Sequence, residues 1–550
     1  MDDMLETLHA AGRAVPMPIG AHRYWAMPDD RRRLDEDPDD LILRYAHTHG
    51  PFAAQAIAGR FGLHLGQTRA ELRDLAAEGR LLSGTFLAAA ASDGDSGERQ
   101  YLHPDVFRII RSRSLARARD SIRPVDGASY QRMVLSLQGA GAVGGERYDG
   151  GDGVLRVIEQ LEGVALPAAL WETAVFPARI RNYRPGMLDE LLASSTVAWV
   201  GSRPRRDTHG VGDIAWYVAD SVIMPDPSAS PDMDPILARM RGGGAFPARQ
   251  LDDGEGGSRF ANHMRTLIWQ GLITGSTFAP IRSMIGASTG RTPHATGGRT
   301  ATGARARMRR IANASAYAGF GGLWSGVAAA ARMDDEESAP ARRLIAVVDM
   351  LLDRYGVIAP PLTEAAGVDG GFSALYPVLK AMEENGDLVR GMFVDGLGAA
   401  QFARRRDVDA LRGCAEKPQE TVTALDTLDP ANLYGTVLPW PACGQGPTQT
   451  AASRPTRRAG TTTVIVDGAA ILYAAPRSHH LTVLAPIDDA HERVLRRALG
   501  ELAYALRRRY QSTVLFSDVN GIPLTSRTTM RVWMRAAGFT PSPQGMKLYP

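Results

Sequence analysis

The chain has 550 residues, 44% of them hydrophobic, with 63 Lys and Arg set against 60 Asp and Glu for a formal net charge of +3. That length accommodates roughly three to five domains of about 100–200 residues, and so small a charge excess does not by itself point to nucleic acid. Cys414 and Cys443 alone cannot build a disulfide framework or a cysteine zinc site, and no apolar run approaches the roughly 18 residues of a membrane span.

No charged-then-apolar leader opens the sequence, so the expectation is a cytoplasmic protein with no membrane partner. Only Lys380, Lys417 and Lys547 are lysines, which leaves 60 arginines. Arginine suits phosphate forks and base edges better than lysine, but an Arg- and Ala-rich codon usage produces the same bias.

In chain order, one phrase recurs: a helix, a small residue and Gly, then a short apolar strand. It occurs at Leu8–Val15, Leu75–Phe86, Ile268–Phe278 and Met382–Phe393, and more loosely at Leu191–Val200. A helix that stops on a Gly cap and turns into a β-ribbon is how a winged helix passes from recognition helix to wing. The expected fold is therefore α+β, a tandem winged-helix array.

Residues 1–36 read as the second half of one copy. Residues 37–138 hold a complete one, with helices at Leu41–Thr48, Gln55–Gly62 and Gly66–Glu78 and wing strands at Leu81–Phe86 and Gln100–His103. Further copies are expected at 151–225, 232–285 and 339–412, with 286–338 as a Gly/Thr/Arg-rich linker and Gly139–Gly153 and Asp226–Asp234 as shorter ones. From 413 to 550 the texture changes to a β-rich, barrel-like module, with strands near Thr461–Val466, Ala470–Tyr473, Leu481–Leu484 and Thr513–Phe516 and a helix near His491–Arg508.

Several motifs fail their physical tests. A P-loop needs Gly-Lys-Ser/Thr, and none of the three lysines follows a glycine, so this chain carries no ATPase of that type. Gly139–Gly144 has the letters of a dinucleotide fingerprint, yet no helix begins where the pyrophosphate would sit. Gly286–Gly290 has the letters of a nucleophile elbow inside a low-complexity stretch, and His479-His480 lacks partners at metal spacing. No cofactor and no metal is expected.

The basic residues on or beside the recognition helices are the candidate nucleic-acid contacts: Arg69, Arg73 and Arg80, then Arg265 and Arg282, then Arg390. A solvated helix face explains any single one equally well. Arg299–Arg310 carries five arginines and no acid, an electrostatic arm or a soluble linker.

Asp369–Lys380, Met382–Gly386, Gly391–Phe402, Asp429–Trp440, Val464–Gly468 with Leu472-Tyr473, and Ala537–Lys547 form a recognisable text, joined upstream by Tyr45–Phe52 and Phe176–Tyr183. It resembles the C-terminal region of the bacterial large helicase-related (Lhr) proteins, superfamily 2 DNA helicases. The resemblance implies a motor of two RecA-like lobes N-terminal to this region in long members, then tandem winged helices and a β-rich end module. It also implies a link to DNA repair, with uracil-DNA glycosylase activity attributed to some members and a role in oligomerisation.

Three readings follow from it. One is a DNA-binding and assembly region of a repair helicase without its own motor, whose partners are DNA, further copies of itself and motor lobes in cis or in trans, in a nucleoid-associated setting. Another is a DNA glycosylase, and the third an oligomerisation module without DNA contact. Base excision calls for a group that positions water. The tail after Gly538 has no acid, which leaves Asp395, Gln401, Asp429 and Asp467 in the family-like phrases. Turn chemistry alone also accounts for Asp429–Asn432 and for Asp467-Gly468.

Overall fold

The computed structural model describes residues 2–19, 22–36, 38–86, 99–120, 123–141, 148–202, 211–225, 234–252, 257–288, 317, 319–327, 339–416, 421–442, 454–526 and 528–550. It divides into two units, Met1–Ser121 and Ile122–Pro550. In the first, helix Asp2–Ala10 leads into a hairpin of Val15–Ile19 and His22–Ala26, in register from Val15 opposite Ala26 to Ile19 opposite His22. After helix Pro28–Glu36 comes a complete winged helix. Helices Pro38–Thr48, Ala54–Phe61 and Leu65–Ala77 surround a sheet in the order Phe52–Ala53, Gln100–Leu102, Leu82–Gly84. Ile42, Ala46, Ile57, Leu72 and Leu75 form its core, at the i, i+3/i+4 spacing that turns one stripe of each helix inward.

The second unit repeats this plan three times. The 150–218 copy has helix Gly150–Gln160, a second helix from Ala168 to Arg179 interrupted by a π-turn at Trp171–Val175, and recognition helix Pro185–Ala193. Its strands order as Leu166–Pro167, Asp213–Val218, Val197–Ser202. The next copy has helices Pro235–Met240, Ala248–Leu251 and Gly257–Trp269, and the one after it Ala339–Tyr355, Pro360–Ala365 and Gly371–Asn385. Both build sheets in which the last strand again lies in the middle.

Two boundaries differ from the sequence reading. In the copy that begins at Pro235, the last strand is Leu323–Gly326, which pairs Ile273 with Gly326 and Leu323 with Pro247. The stretch up to Gly326 is therefore a wing insertion holding helix Ala279–Ser288, rather than a linker between domains. Long insertions in surface loops add little closure entropy, so strand pairing survives them. Residues 123–138, expected to close the first winged helix, belong to the second unit. Val125 exchanges backbone hydrogen bonds with Phe393 and Asp395 (2.8 and 2.9 Å), and Tyr130 Oη donates to Tyr355 O (3.1 Å).

The copies at 150–218 and 235–326 share one core, in which Trp171, Trp199, Trp216 and Trp324 are fully buried. Trp199 Nε1 donates to Gly275 O across the boundary (3.1 Å). Backbones meet there directly. A Cβ on Gly201 would stand 2.3 Å from Ile268 O, and one on Gly212 2.5 Å from the Trp269 ring, so only glycine fits either position.

Among the described residues, the sheets of the C-terminal module are open and do not close into a barrel. Its six-stranded sheet runs in the order Val422–Asp426, Thr462–Val466, Ala469–Ala475, His480–Val483, Asp518–Val519, Ile522–Pro523, with its two end strands unpaired to each other. Helix Glu492–Arg509 covers it with Leu495, Leu499, Leu502 and Leu506, filling the side that closure would otherwise have to bury. A smaller sheet orders Val514–Phe516, Gly545–Leu548, Thr540–Ser542 beside helix Thr528–Ala536.

Candidate nucleic-acid interface

The recurrent phrase has one geometry throughout. Each recognition helix ends with a residue in the left-handed region: Gly79 at φ 74°, Ser195 at 56°, Gly271 at 74° and Gly386 at 91°. The next amide donates back five residues, Arg80 to Leu75 O, Thr196 to Leu191 O, Leu272 to Leu267 O and Asp387 to Met382 O, at 2.9–3.0 Å. This cap satisfies the last helical carbonyls and aims the chain into the wing. The same cap at Gly12 (φ 68°) joins the first helix to its hairpin.

What the recognition helices expose differs sharply. On Gly257–Trp269, the residues Ser258, Arg259, Asn262, Arg265 and Thr266 are exposed on one face with no acid among them. Arg265 Nη1 donates to Asn262 Oδ1 (3.1 Å) and its guanidinium lies over Phe320, 5.9 Å from the ring centre. Such a polar, cationic face is what base edges and phosphates require. Arg259 and Asn262 were missed by sequence reasoning, although their i, i+3, i+6 relation to Arg265 was readable once the helix start was known.

Helix Pro185–Ala193 is the opposite case. It carries Asp189 and Glu190 and no base, and it is capped from the side by Arg282 of the neighbouring wing insertion. Arg282 makes a bidentate pair with Asp189 (3.0 and 2.8 Å) and another with Glu172 (2.8 and 2.9 Å). Its charge is thus spent inside the protein, which docks helix Ala279–Ser288 onto the previous copy.

The remaining candidate arginines belong to other copies. Arg69 and Arg73 are exposed on Leu65–Ala77, Arg73 Nε donating to Arg69 O (3.0 Å), and Arg80 lies 3.6 Å from Glu78. Arg390, in the wing after Gly371–Asn385, stacks over Tyr376 (5.9 Å) and Phe402 (5.7 Å), a half-buried cation–aromatic surface. Arg299–Arg310 lies outside the described residues.

The four candidate polar groups of the tail occupy very different surroundings. Asp429 is fully buried and receives Arg179 Nη1 and Nη2 at 2.8 Å each, while its own turn closes through Ala431 N (2.8 Å). Arg179, also fully buried, gives Gln138 Oε1 a further bond (2.9 Å). Gln401, fully buried too, accepts from Phe393 N and Val394 N and donates to Val394 O and Gly398 O, so it closes the 393–398 loop. Asp467, at φ 48°, forms with Gly468 the hairpin turn between two strands and lies 3.1 Å from Arg132 Nε. Asp395 is exposed.

A cleft of about 430 Å³ opens where the helix ending at Arg179 meets the C-terminal module, lined among others by Tyr183, Asp426, Tyr504, Arg508 and Arg509. Burial pushes the Asp426 carboxyl up from its ordinary range, and Arg509, 2.6 Å away, pulls it back. His47, His103 and Asp105 also gather in the first unit as a possible cation cluster, but Asp105 already pairs with Arg108. Gly139–Gly141 follow helix Gly127–Leu137 rather than a strand, and Ser288 ends a helix, so neither motif has its required context. Among the described residues, no helix is long and apolar enough to cross a membrane.

Residues 125–219 and 337–423 each match the winged-helix domain of large helicase-related proteins. Along 99% of its length the chain is 34% identical to "Lhr helicase/ probable uracil glycosylase" of Mycolicibacterium smegmatis. Along 98% it is 32% identical to "Lhr helicase/uracil glycosylase" of Escherichia coli. It spans 37% of the length of either relative. Among solved structures, the DNA glycosylase AlkZ of Streptomyces sahachiroi aligns over 72% of this chain and all of its own, at 12% identity and a TM-score of 0.41. The chain carries two winged-helix domains of the large helicase-related type, and nearly all of it resembles the C-terminal, winged-helix region of that family.

Proposed function

We propose that this region binds DNA and holds the parts of a repair helicase together, and that helix Gly257–Trp269 is its reading element. The observation that carries this is the contrast between recognition helices. One presents Arg259, Asn262 and Arg265 to solvent and contains no acid of its own, whereas Pro185–Ala193 is acidic and locked by Arg282. Identical scaffolds have thus been given different surfaces, one for a polyanion and one for a neighbouring copy. Motor lobes and further copies of the chain are its partners in this reading.

The test is binding of labelled duplex and single-stranded DNA across a salt series. Arg259→Ala/Arg265→Ala is expected to weaken binding and flatten the salt slope by about one unit for each phosphate no longer neutralised. A wild-type affinity indifferent to salt sinks DNA binding and leaves pure assembly.

A second reading, base excision, is favoured by the relatives' names and by the cleft beside Asp426, which is lined by two tyrosines and two arginines and could receive an extruded base. Incubation with uracil-containing DNA followed by alkali decides it. Intact strands at high protein concentration would reject it.

A further inference from the structure

On the C-terminal module a groove of about 700 Å³ lies at one end of the central strands, and none of its lining residues belongs to a recognition helix. Its floor is Thr461, Tyr473 and Thr482, and its walls are the loop 454–460 and the turn at Pro476–Ser478. Arg454, Arg458 and Arg477 are exposed along its rim, together with Thr456 and Ser478. No Asp or Glu is among its lining residues. The nearest acid on the adjoining strand, Asp518, is engaged by His480, whose Nδ1 lies 2.5 Å from Asp518 Oδ2.

The rim is built, not incidental. Arg457 turns inward and donates to Asn432 O (2.7 Å) and Tyr434 O (3.0 Å), so that its neighbour Arg458 must point out. Tyr473 Oη donates to Thr456 O, and Tyr510 Oη to Gly460 O, both at 3.0 Å, pinning the loop at two points. His479, at φ 60°, closes the opposite turn that carries Arg477.

Three exposed guanidinium groups with hydroxyls between them and no acid among the lining residues, the nearby Asp426 being buried and paired with Arg509 and the Gly460 amide, match an extended row of phosphates better than one small anion. Of the two rings that line the groove, Tyr473 is 5% exposed and committed to the loop, and His480 is held by Asp518. The groove therefore offers cations to phosphates rather than a broad stacking platform to bases. We propose that this groove holds the phosphodiester backbone of a nucleic-acid strand, independently of base sequence, as a second contact distinct from helix Gly257–Trp269.

The experiment is fluorescence anisotropy of labelled oligonucleotides of unrelated sequence with the full chain, from about 50 to about 200 mM salt. Arg458→Ala/Arg477→Ala is compared with Arg458→Lys/Arg477→Lys and with Arg259→Ala/Arg265→Ala, and melting curves confirm that all remain folded. Leaving two phosphates without a cation lowers the duplex salt slope by about 1.8, so the advantage of wild type over the alanine pair shrinks roughly tenfold across that range, equally for every sequence. The lysine pair, which keeps the charge, restores most of the slope.

An unchanged affinity and slope in the groove variant, with weakened binding in the helix variant, overturns this groove and leaves the proposed reading helix standing. The converse result rejects the helix and keeps the groove, and a wild type without salt-dependent binding rejects both. Competition by poly-aspartate as strong as that by oligonucleotide also overturns the assignment, since it would make the groove a general anion trap.

Discussion

Asp429→Asn is expected to destabilise the second unit without touching any exposed surface. Arg179 and Asp429 are both fully buried, joined by two hydrogen bonds of 2.8 Å. The aspartate keeps its shape when converted to asparagine but loses its charge, which strands a guanidinium in a dry interior. Removing one partner of such a pair costs about 3–5 kcal/mol, most of it the penalty of the charge left behind. A cooperative unit of about 430 residues has an unfolding entropy near 0.9 kcal/mol/K, so the expected fall in Tm is about 3–6 °C.

Differential scanning calorimetry reads this fall directly. Arg179→Met/Asp429→Leu removes both charges and should recover at least half of it, since the bonds then lost are the neutral ones to Gln138, Val175 O and the Ala431 amide. A Tm within about 1 °C of wild type for Asp429→Asn, or a double variant whose fall equals the sum of the two single ones, would refute the clamp.

Other outcomes follow from the same geometry. Arg282→Ala should leave the salt slope of DNA binding unchanged but speed proteolysis within Ala279–Ser288, because its four charge-assisted bonds to Glu172 and Asp189 are what seat that helix; a lowered slope would return it to the DNA-binding set. Gly271→Ala should cost its unit more unfolding free energy than Gly79→Ala costs the smaller unit that holds it, as read by denaturant titration of each unit. Both are left-handed, at about 1–2 kcal/mol, but a Cβ at Gly271 also meets Gly201 O at 2.9 Å while one at Gly79 meets nothing within 4 Å; equal free-energy costs would refute the steric clash. Burial holds the Glu162 carboxyl above its ordinary range despite the Val218 amide it accepts. Ionising it therefore costs the fold above that raised value and nothing below the unfolded one, so Glu162→Gln should raise Tm at pH 7 with the gain vanishing by about pH 4. A gain that persists at low pH would show packing rather than charge at work.

Much of the scaffold was legible because it rests on local chemistry. A glycine after a helical stripe specifies the left-handed cap, and Gly79, Gly271 and Gly386 all adopt it. Ser195 does so without being glycine, which is why that copy read only loosely. The Asp467-Gly468 turn was equally local. Long-range features were not legible. Leu323–Gly326 pairs with a strand on the far side of a long insertion, and nothing in the intervening composition signals that return. Arg282 looked like a surface cation because its partners Glu172 and Asp189 lie about a hundred residues away in sequence. The β-rich end was recognised by texture, but closure depends on which strand edges meet, and strand order is a tertiary fact.

The glycine contacts between the copies at 150–218 and 235–326 have a mechanical meaning. At Gly201 the wing backbone lies directly against the Ile268 carbonyl, and at Gly212 it lies against the Trp269 ring, so the two copies interlock with no room to shear. The two copies also share a tryptophan-lined core. A pull delivered to helix Gly257–Trp269 by a moving strand would pass into the adjacent copy as through a welded joint. These two copies would then turn together as a single lever.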